Sequence, residues 1–339
     1  MIENEIEKMP KAVLHLHLDG SLRPETVYKW LKEQGKDVSL EQIEKDLMVD
    51  KDCRDLNEYL QKFDLPLEVL QTEEHIEQVT YELFEDLAKQ NVIYAEVRFA
   101  PQLHTQEGLE YETIVEAAIR GMEKAKKEHE IDGNLILCCM RGKDNVGNNL
   151  KTVTTAKKYL GKGVCALDLA GAEALFPTSE FEDVFKLAKE FEIPFTIHAG
   201  EADGPQSIKK ALEYGAKRIG HGVRCLEDVA LVMELIRKEI PLEVCPISNL
   251  QTRATGEDHP IEKLYRLGLR TTISPDNNTV SNTNIIEEYK WILENTSLTV
   301  EDLKQMNKNA IRGAFISPQK KAELIAKLEQ KGKKEEILK

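Results

Sequence analysis

The feature that most constrains the fold is an eightfold alternation of short apolar segments with amphipathic helical patterns. The apolar segments span residues 12–18, 92–99, 134–141, 164–170, 194–198, 218–222, 241–245 and 269–274. Helical patterns such as EDVFKLAKEF and QSIKKALEYG lie between them. Strands that alternate with helices form parallel sheets. Eight such units close a TIM (β/α)8 barrel, which is the predicted fold, with an open doubly wound sheet as the competing one.

The length of the chain leaves room for an insertion in that barrel. A (β/α)8 barrel takes roughly 250 residues, whereas this chain has 339. The surplus falls between the first two strands, where residues 24–90 are predominantly helical in pattern. We therefore expect a single barrel over residues 1–339, with a helical insertion or lid at 24–90 and a C-terminal helix at 318–339.

Charge and composition narrow the class of partner. Lys and Arg number 46 against 60 Asp and Glu, which gives a formal net charge of −14. Such a surface repels polyanions, so nucleic acid is not expected as a partner. No apolar run approaches the ~20 residues of a membrane helix, and the acidic N-terminus, MIENEIEKMP, lacks the apolar segment of a signal peptide. We expect a cytoplasmic protein that binds a small molecule, in an oligomeric state that the sequence leaves open.

The first apolar segment carries titratable groups on one of its two faces. In AVLHLHLDGSL, alternate leucines share one face of the strand, and His15, His17 and Asp19 share the other. A buried strand has no packing reason to hold three titratable side chains, because an unpaired buried charge is costly. These side chains therefore need a partner.

Further polar residues follow three other strands at their C-terminal ends. His198 and Glu201 lie in HAGE, His221 lies in GHG, and Asp276 follows TTISP. Each alone has an ordinary explanation, such as a core histidine, a carboxylate at a helix N-terminus or a turn cap. Their convergence on the rim where barrel enzymes build active sites is much harder to explain in that way.

A divalent metal accounts for that convergence. Neutral imidazoles and a carboxylate suit zinc, and a catalytic site keeps one position open for water. His15 and His17, two residues apart on a strand, can bind one ion from the same face. His198 and Asp276 complete the predicted ligand set, which holds one Zn2+ per chain.

The segments that carry this pattern resemble the adenosine deaminases. They are HLHLDGSL, RFAPQLHTQEGL, LDLAG, TIHAGE, RIGHGVR, CPISNLQT and SPDN, in this order along nearly the whole chain. The resemblance implies a (β/α)8 barrel with one zinc that hydrolyses adenosine or deoxyadenosine to inosine or deoxyinosine and ammonia. It also implies zinc ligands at His15, His17, His198 and Asp276.

The resemblance further implies roles in catalysis and substrate binding. Glu201 is expected to be the catalytic acid, and His221, with Asp276, to align the water and accept its proton. Asp19 is expected to hold the ribose 5′-hydroxyl, and the backbone N–H of Gly171 to meet purine N3; His17 also counts among the substrate-binding residues. A hydrophobic lid over the base is expected from four residues at helical spacing, Leu56, Tyr59, Leu60 and Phe63.

Two positions depart from the family pattern. Asn277 stands where many members have a second aspartate that faces purine N7, and Ala172 stands where LAGDE is commoner. Purine N7 accepts a hydrogen bond, and an asparagine amide donates at any pH, whereas a carboxylate donates only when protonated. The change at Asn277 is therefore compatible with purine binding.

Other functions would require sequence motifs that can be compared with this chain. The zinc deaminases with HxE and PCxxC are excluded, because the chain has no PCxxC motif. Binuclear amidohydrolases use a lysine at the end of strand four. In this chain strand four ends in LDLAG, without a lysine, so a mononuclear site is expected. Adenine deaminases typically read HLEG where this chain has HLDG, and an aminofutalosine-type deaminase stays open. A catalytically silent binding protein is a distant alternative, because all the central residues are present.

Overall fold

The computed structural model describes residues 2–336, so Met1 and residues 337–339 of the predicted barrel and C-terminal helix lie outside the described residues. Eight strands lie within this range: β1 (Lys11–His17), β2 (Val92–Phe99), β3 (Asp132–Met140), β4 (Val164–Ala170), β5 (Thr196–Ala199), β6 (Arg218–His221), β7 (Pro241–Val244) and β8 (Arg270–Ile273). Each coincides with one of the predicted strands, with ends that differ by at most about two residues.

All of the strand pairings are parallel. One run of neighbours is β1–β2–β3–β4 and the other is β5–β6–β7–β8. A bridge between Leu167 and Phe195 joins β4 to the start of β5, and a bridge between Leu16 and Asp276 joins β1 to the segment after β8. The strands therefore follow one another round a TIM (β/α)8 barrel. The prediction of a barrel is confirmed, and the open doubly wound sheet is wrong.

Helices cover the outside of the barrel. They are α1 (Ile2–Lys8), α2 (Pro24–Glu33), α3 (Leu40–Leu47), α4 (Leu56–Leu60), α5 (Asp64–Val69), α6 (Glu73–Lys89), α7 (Tyr111–Glu128), α8 (Val146–Tyr159), α9 (Glu182–Glu190), α10 (Pro205–Tyr214), α11 (Val229–Lys238), α12 (Pro246–Gln251), α13 (Ile261–Arg266), α14 (Ile285–Asn295), α15 (Val300–Gly313) and α16 (Pro318–Glu336). Short 3-10 helices lie at Gln61–Phe63, Pro101–His104, Thr178–Phe181 and Val223–Glu227. Among the helices of residues 2–336, none is long and apolar enough to cross a bilayer.

Five helices lie between β1 and β2, in the range for which the sequence predicts an insertion. They are α2 to α6, with the 3-10 turn Gln61–Phe63 directly after α4. Local sequence explains where such helices begin and end. Asp55 accepts a hydrogen bond from the Glu58 N–H at the start of α4, and Thr299 forms a reciprocal capping box with Asp302 at the start of α15.

Two kinds of core lie on either side of the strands. Between strands and helices the packing is apolar, with Val97 of β2 and Phe84 of α6 in the same cluster. Inside the barrel, β2 places Glu96 and Arg98 two residues apart, and both are fully buried. Buried charges are tolerated only when paired and hydrogen-bonded. The partners of Arg98 extend to the rim described next.

Candidate active site

Three strands bring the four predicted metal-ligating side chains to the C-terminal rim of the barrel. His15 and His17 lie on β1, His198 lies on β5, and Asp276 follows β8. The Nε2 atoms of His17 and His198 are 3.1 Å apart. Asp276 Oδ1 lies 3.1 Å from Nε2 of His15 and 3.4 Å from Nε2 of His17. The structure therefore brings all four predicted ligands together.

His221, at the end of β6, belongs to the same cluster. One ligand atom from each of His15, His198, His221 and Asp276 lies within 4.8 Å of the others, and all four residues are buried. His17 faces the cavity above them, with 12% of its side chain exposed. The cluster thus offers more donor atoms than the four that zinc needs.

Two buried carboxylates fix the orientation of two of these imidazoles. Glu243 Oε2 lies 2.8 Å from Nδ1 of His15, and Asp168 Oδ2 lies 2.9 Å from Nδ1 of His198. A carboxylate at Nδ1 favours the tautomer whose Nε2 lone pair is free, as in metal-binding histidines. His15 Nε2 is buried, and it faces the carboxylate oxygen Asp276 Oδ1 at 3.1 Å rather than a hydrogen-bond donor. An unprotonated imidazole nitrogen and a carboxylate oxygen in this arrangement are both suited to ligate a cation.

Arg98 connects those two carboxylates. Its Nη1 donates to Asp168 at 2.6 Å and its Nη2 to Glu243 at 2.9 Å. Burial acts to raise the pKa of Asp168 and of Glu243, but nearby positive groups outweigh it and hold both pKa values well below their usual range. Across the buried network, Glu96, Asp168 and Glu243 pair with the guanidiniums of Arg98 and Arg218, and a fourth carboxylate, Asp276, joins through His15. The surplus of negative charge and the free imidazole nitrogens both fit a divalent metal.

Glu201 lies beside this cluster in a state suited to proton donation. Its side chain is buried, and that burial, followed by the negative charges of Asp276 and Glu173, raises its pKa well above the usual range. Thr252 Oγ1 donates to Oε1 of Glu201 at 3.1 Å. Its Oε2 lies 3.4 Å from Nε2 of His221. A carboxyl group kept protonated at neutral pH can act as a general acid.

The backbone is strained at two of these residues. His221 has φ of 59° and Asp276 has φ of 64°, both in the left-handed region. Non-glycine residues seldom adopt this conformation, and it persists where surrounding contacts impose it. His221 Nδ1 lies 3.0 Å from Asn249 Nδ2, and Ser248 Oγ donates to Asp276 Oδ2 at 2.6 Å. These contacts aim both side chains at the centre of the site.

A cavity of about 310 Å3 opens above the cluster. This volume suits a small molecule. All of the predicted site residues except His15, which lies beneath, line the cavity: His17, Asp19, Leu56, Tyr59, Leu60, Phe63, Gly171, His198, Glu201, His221, Asp276 and Asn277. The predicted lid residues of α4 and its 3-10 turn form one apolar wall.

Comparison with known proteins identifies the family. Residues 10–331 match the protein family described as adenosine deaminase. This chain belongs to the adenosine deaminase family. The adenosine deaminase of Haemophilus ducreyi is 45% identical to it over 327 residues, which cover 94% of this chain and 95% of the relative. The resemblance stated from the sequence motifs is thereby confirmed.

Solved structures agree with the fold of an adenosine deaminase family member. An adenine deaminase from Arthrobacter aurescens gives a TM-score of 0.88 at 27% identity, and covers 96% of this chain and 99% of its own. Arabidopsis ADAL complexed with IMP gives a TM-score of 0.85 at 26% identity, and covers 96% of this chain and 98% of its own.

Asp19 is a polar residue of the cavity wall without a complete set of partners. It is 5% exposed, and its Oδ1 has no hydrogen-bond partner among the described residues. Burial, its largest influence, raises the pKa of Asp19 to about 7. An unpaired buried oxygen at a cavity wall is costly unless a ligand donates to it. Within this adenosine deaminase fold, the residue is therefore available to a hydroxyl group.

Asn277, the departure from the family pattern, contacts the lid. Its Nδ2 donates to the Tyr59 hydroxyl at 3.0 Å, and that hydroxyl lies 2.5 Å from Ser281 Oγ. Gly20 packs against the same amide, since a Cβ atom added there would lie 1.8 Å from Asn277 Oδ1. Gly20 thus fits this position because it has no side chain.

Several residues of the site did not emerge from the sequence. Asp168 and Glu243 carried a usable signal, because each is a lone charge in an apolar strand, as in VCALDLA and PLEVC. The reasoning applied to His15 and His17 would have found them. Asn249 and Thr252, on α12 and directly after it, carried no such signal, because a polar residue on a helix is ordinary.

Proposed function

We propose that this protein hydrolyses adenosine and deoxyadenosine to inosine or deoxyinosine and ammonia, as in purine salvage, with one zinc ion per chain. The observation that carries the proposal is the convergence of carboxylate-held imidazoles and Asp276 below a cavity lined by Glu201. His15, His17, His198 and Asp276 are the proposed ligands. The chain is proposed to act as one barrel, with residues 24–90 as the insertion that carries the lid.

The residues of the chain divide the reaction between them. When bound, zinc supplies an activated water as the nucleophile at neutral pH. His221 and Asp276 align that water toward purine C6 and accept its proton. Glu201 donates a proton to purine N1, so that negative charge does not accumulate on the ring during attack. The amino group takes up the remaining proton of the added water and leaves as ammonia, which gives the oxopurine, and the first proton returns from His221 and Asp276 to Glu201.

The cavity wall supports a nucleoside rather than a free base. The unpaired Asp19 oxygen needs a donor, and the ribose 5′-hydroxyl is a donor that a nucleoside carries and the free base does not. Gly171, with φ of 107°, lies at the wall with no side chain of its own, so its backbone N–H is accessible to purine N3. Tyr59 and the other apolar lid residues can cover the base.

Ultraviolet spectroscopy tests this proposal directly, because conversion of adenosine to inosine changes the purine absorbance. We expect adenosine and deoxyadenosine to be consumed, a chelator to stop the reaction, and added zinc to restore it. Metal analysis should give one zinc per chain. Adenine and an aminofutalosine-type nucleoside are offered in parallel. Faster turnover of either would overturn adenosine as the substrate, and normal turnover by metal-free protein would overturn the metal mechanism.

A further inference from the structure

A single buried carboxylate holds the loop that carries Glu201. Glu173, in the turn after β4, is 1% exposed. Its Oε1 accepts from Gly200 N at 2.7 Å and from Ser207 Oγ at 2.6 Å. Its Oε2 accepts from the N–H groups of residues 201, 202 and 203 at 3.0, 2.7 and 3.0 Å. Four consecutive backbone donors thus converge on one side chain.

The loop needs such an acceptor because its own backbone cannot provide one. Residues 200–203 lie between β5 and α10 and form no regular structure. Gly200 has φ of 73°, which turns the chain so that successive N–H groups point inward. Such a concave set of N–H groups binds anions. Glu173 supplies the anion from within the chain.

The other side of the same loop is held as well. Arg141 Nη2 donates to the His198 carbonyl at 2.6 Å and to Thr178 Oγ1 at 2.9 Å. Thr178 Oγ1 lies 2.7 Å from Ser207 Oγ, which reaches Glu173. The segment from His198 to residue 203 is therefore fixed at both ends by side chains from the loops after β3 and β4. Glu201 lies inside this fixed segment.

We propose that Glu173 is a positioning residue for the catalytic acid. The inference rests on the proposed function and adds to it a residue that the sequence pattern did not single out. Glu173 fixes the backbone of Glu201. The Glu201 carboxyl group, which Thr252 also contacts, is thereby placed to donate its proton to purine N1. A displacement of about 1 Å in a catalytic group can cost roughly 100-fold in rate.

The charge of Glu173 is essential to this role. A glutamine at the same position has nearly the same shape but only one accepting oxygen, and its NH2 group would face backbone donors. Glu173→Gln should therefore lower kcat for adenosine at least about tenfold. The KM for adenosine and the inhibition constant of inosine should stay within about twofold, because the cavity wall itself is unchanged. Glu180→Gln, the same change at an exposed residue of the next 3-10 helix, should alter neither constant.

A double-mutant cycle separates positioning from a general loss of structure. If Glu173 acts through Glu201, then Glu173→Gln in a Glu201→Gln background should lower the residual kcat less than about twofold. The residual rate is measured as inosine formed at high enzyme concentration, per zinc-loaded folded protein. If Glu173→Gln does not fold, Glu173→Asp replaces it in the cycle. Aspartate keeps the negative charge but is one methylene shorter, and we again expect a large loss of kcat in the parent background and a small one in the Glu201→Gln background.

The outcomes are distinguishable. Equal loss of kcat in both backgrounds, or a normal kcat in Glu173→Gln while the parent enzyme is active, would overturn the positioning role alone. A rise in KM with unchanged kcat would assign Glu173 to the cavity wall and also overturn it. Parent protein that leaves adenosine unchanged would overturn the proposed function together with this inference.

Discussion

The Nδ1 atom of His15 lies 2.8 Å from Oε2 of Glu243, and both side chains are fully buried. The second oxygen of that carboxylate accepts from Nε of Arg218 at 2.5 Å. Glu243 therefore joins a rim imidazole to the charged interior of the barrel. Because the carboxylate sets which nitrogen of His15 carries the proton, it also prepares the other nitrogen for a metal.

The first prediction concerns metal affinity. Glu243→Gln removes the charge that orients His15, and loss of such a supporting partner typically costs about 10–100-fold in metal affinity. We expect a zinc dissociation constant raised by that factor, measured by competition with a chromogenic chelator. The free energy of unfolding should fall as well, because Arg98 and Arg218 each lose a charged partner.

Glu239→Gln is the matched control for that experiment. Glu239 lies two residues before the start of β7, and 64% of its side chain is exposed. The zinc dissociation constant of Glu239→Gln should equal that of the parent protein. An unchanged zinc dissociation constant in Glu243→Gln would show that the buried carboxylate does not support the metal.

The second prediction concerns the general acid. Burial and the nearby carboxylates raise the pKa of Glu201 well above its usual range, which favours the protonated form that a general acid needs. Glu201→Gln cannot transfer that proton, and kcat should fall roughly 10²–10⁴-fold. Zinc content and the affinity for inosine should be kept. A variant that deaminates adenosine at nearly the parental rate would remove Glu201 from the mechanism.

The third prediction concerns Gly20. In Gly20→Ala, the new Cβ would lie 1.8 Å from Asn277 Oδ1, so the amide must move. The resemblance to the family assigns an N–H of that amide to purine N7, and loss of this proposed hydrogen bond should raise the KM for adenosine about tenfold. Steady-state kinetics measure the effect. Gly256→Ala, whose Cβ would meet nothing within 4 Å, is the control and should leave KM unchanged.

Sequence pattern predicted the strands and the rim of this barrel well, because both depend on local periodicity. His198 and Asp276 stand out as polar residues at the ends of apolar strands. Barrel closure had no such signal, since it depends on single bridges such as Leu16 to Asp276, between segments far apart in the chain. Glu173 was missed for a related reason, because its five donors come from the loop at 200–203 and from Ser207 of α10, about thirty residues away, which only the fold brings near.

The last prediction concerns stability against pH. Glu288 of α14 is fully buried, and that burial, the largest influence, raises its pKa to about 8. Hydrogen bonds from Ile247 N and Thr283 Oγ1, each 3.1 Å, offset the effect only in part. In the unfolded chain a glutamate titrates near ~4.3. Between these two pKa values the folded protein holds a proton that the unfolded chain has released.

The sign of the pH effect follows from that difference. Stability falls with rising pH wherever the folded state binds more protons, here by about 1.4 kcal/mol per pH unit from Glu288 alone. Glu288→Gln is neutral at every pH and lacks this loss. We expect the free energy of unfolding of Glu288→Gln, measured with urea, to increase relative to that of the parent from about pH 5 to pH 8. Above pH 8 the difference between the two should stay constant. Glu287→Gln, at a half-exposed neighbour, should follow the parent curve. Parallel curves for Glu288→Gln and the parent would mean that Glu288 is already ionised in the folded protein at these pH values.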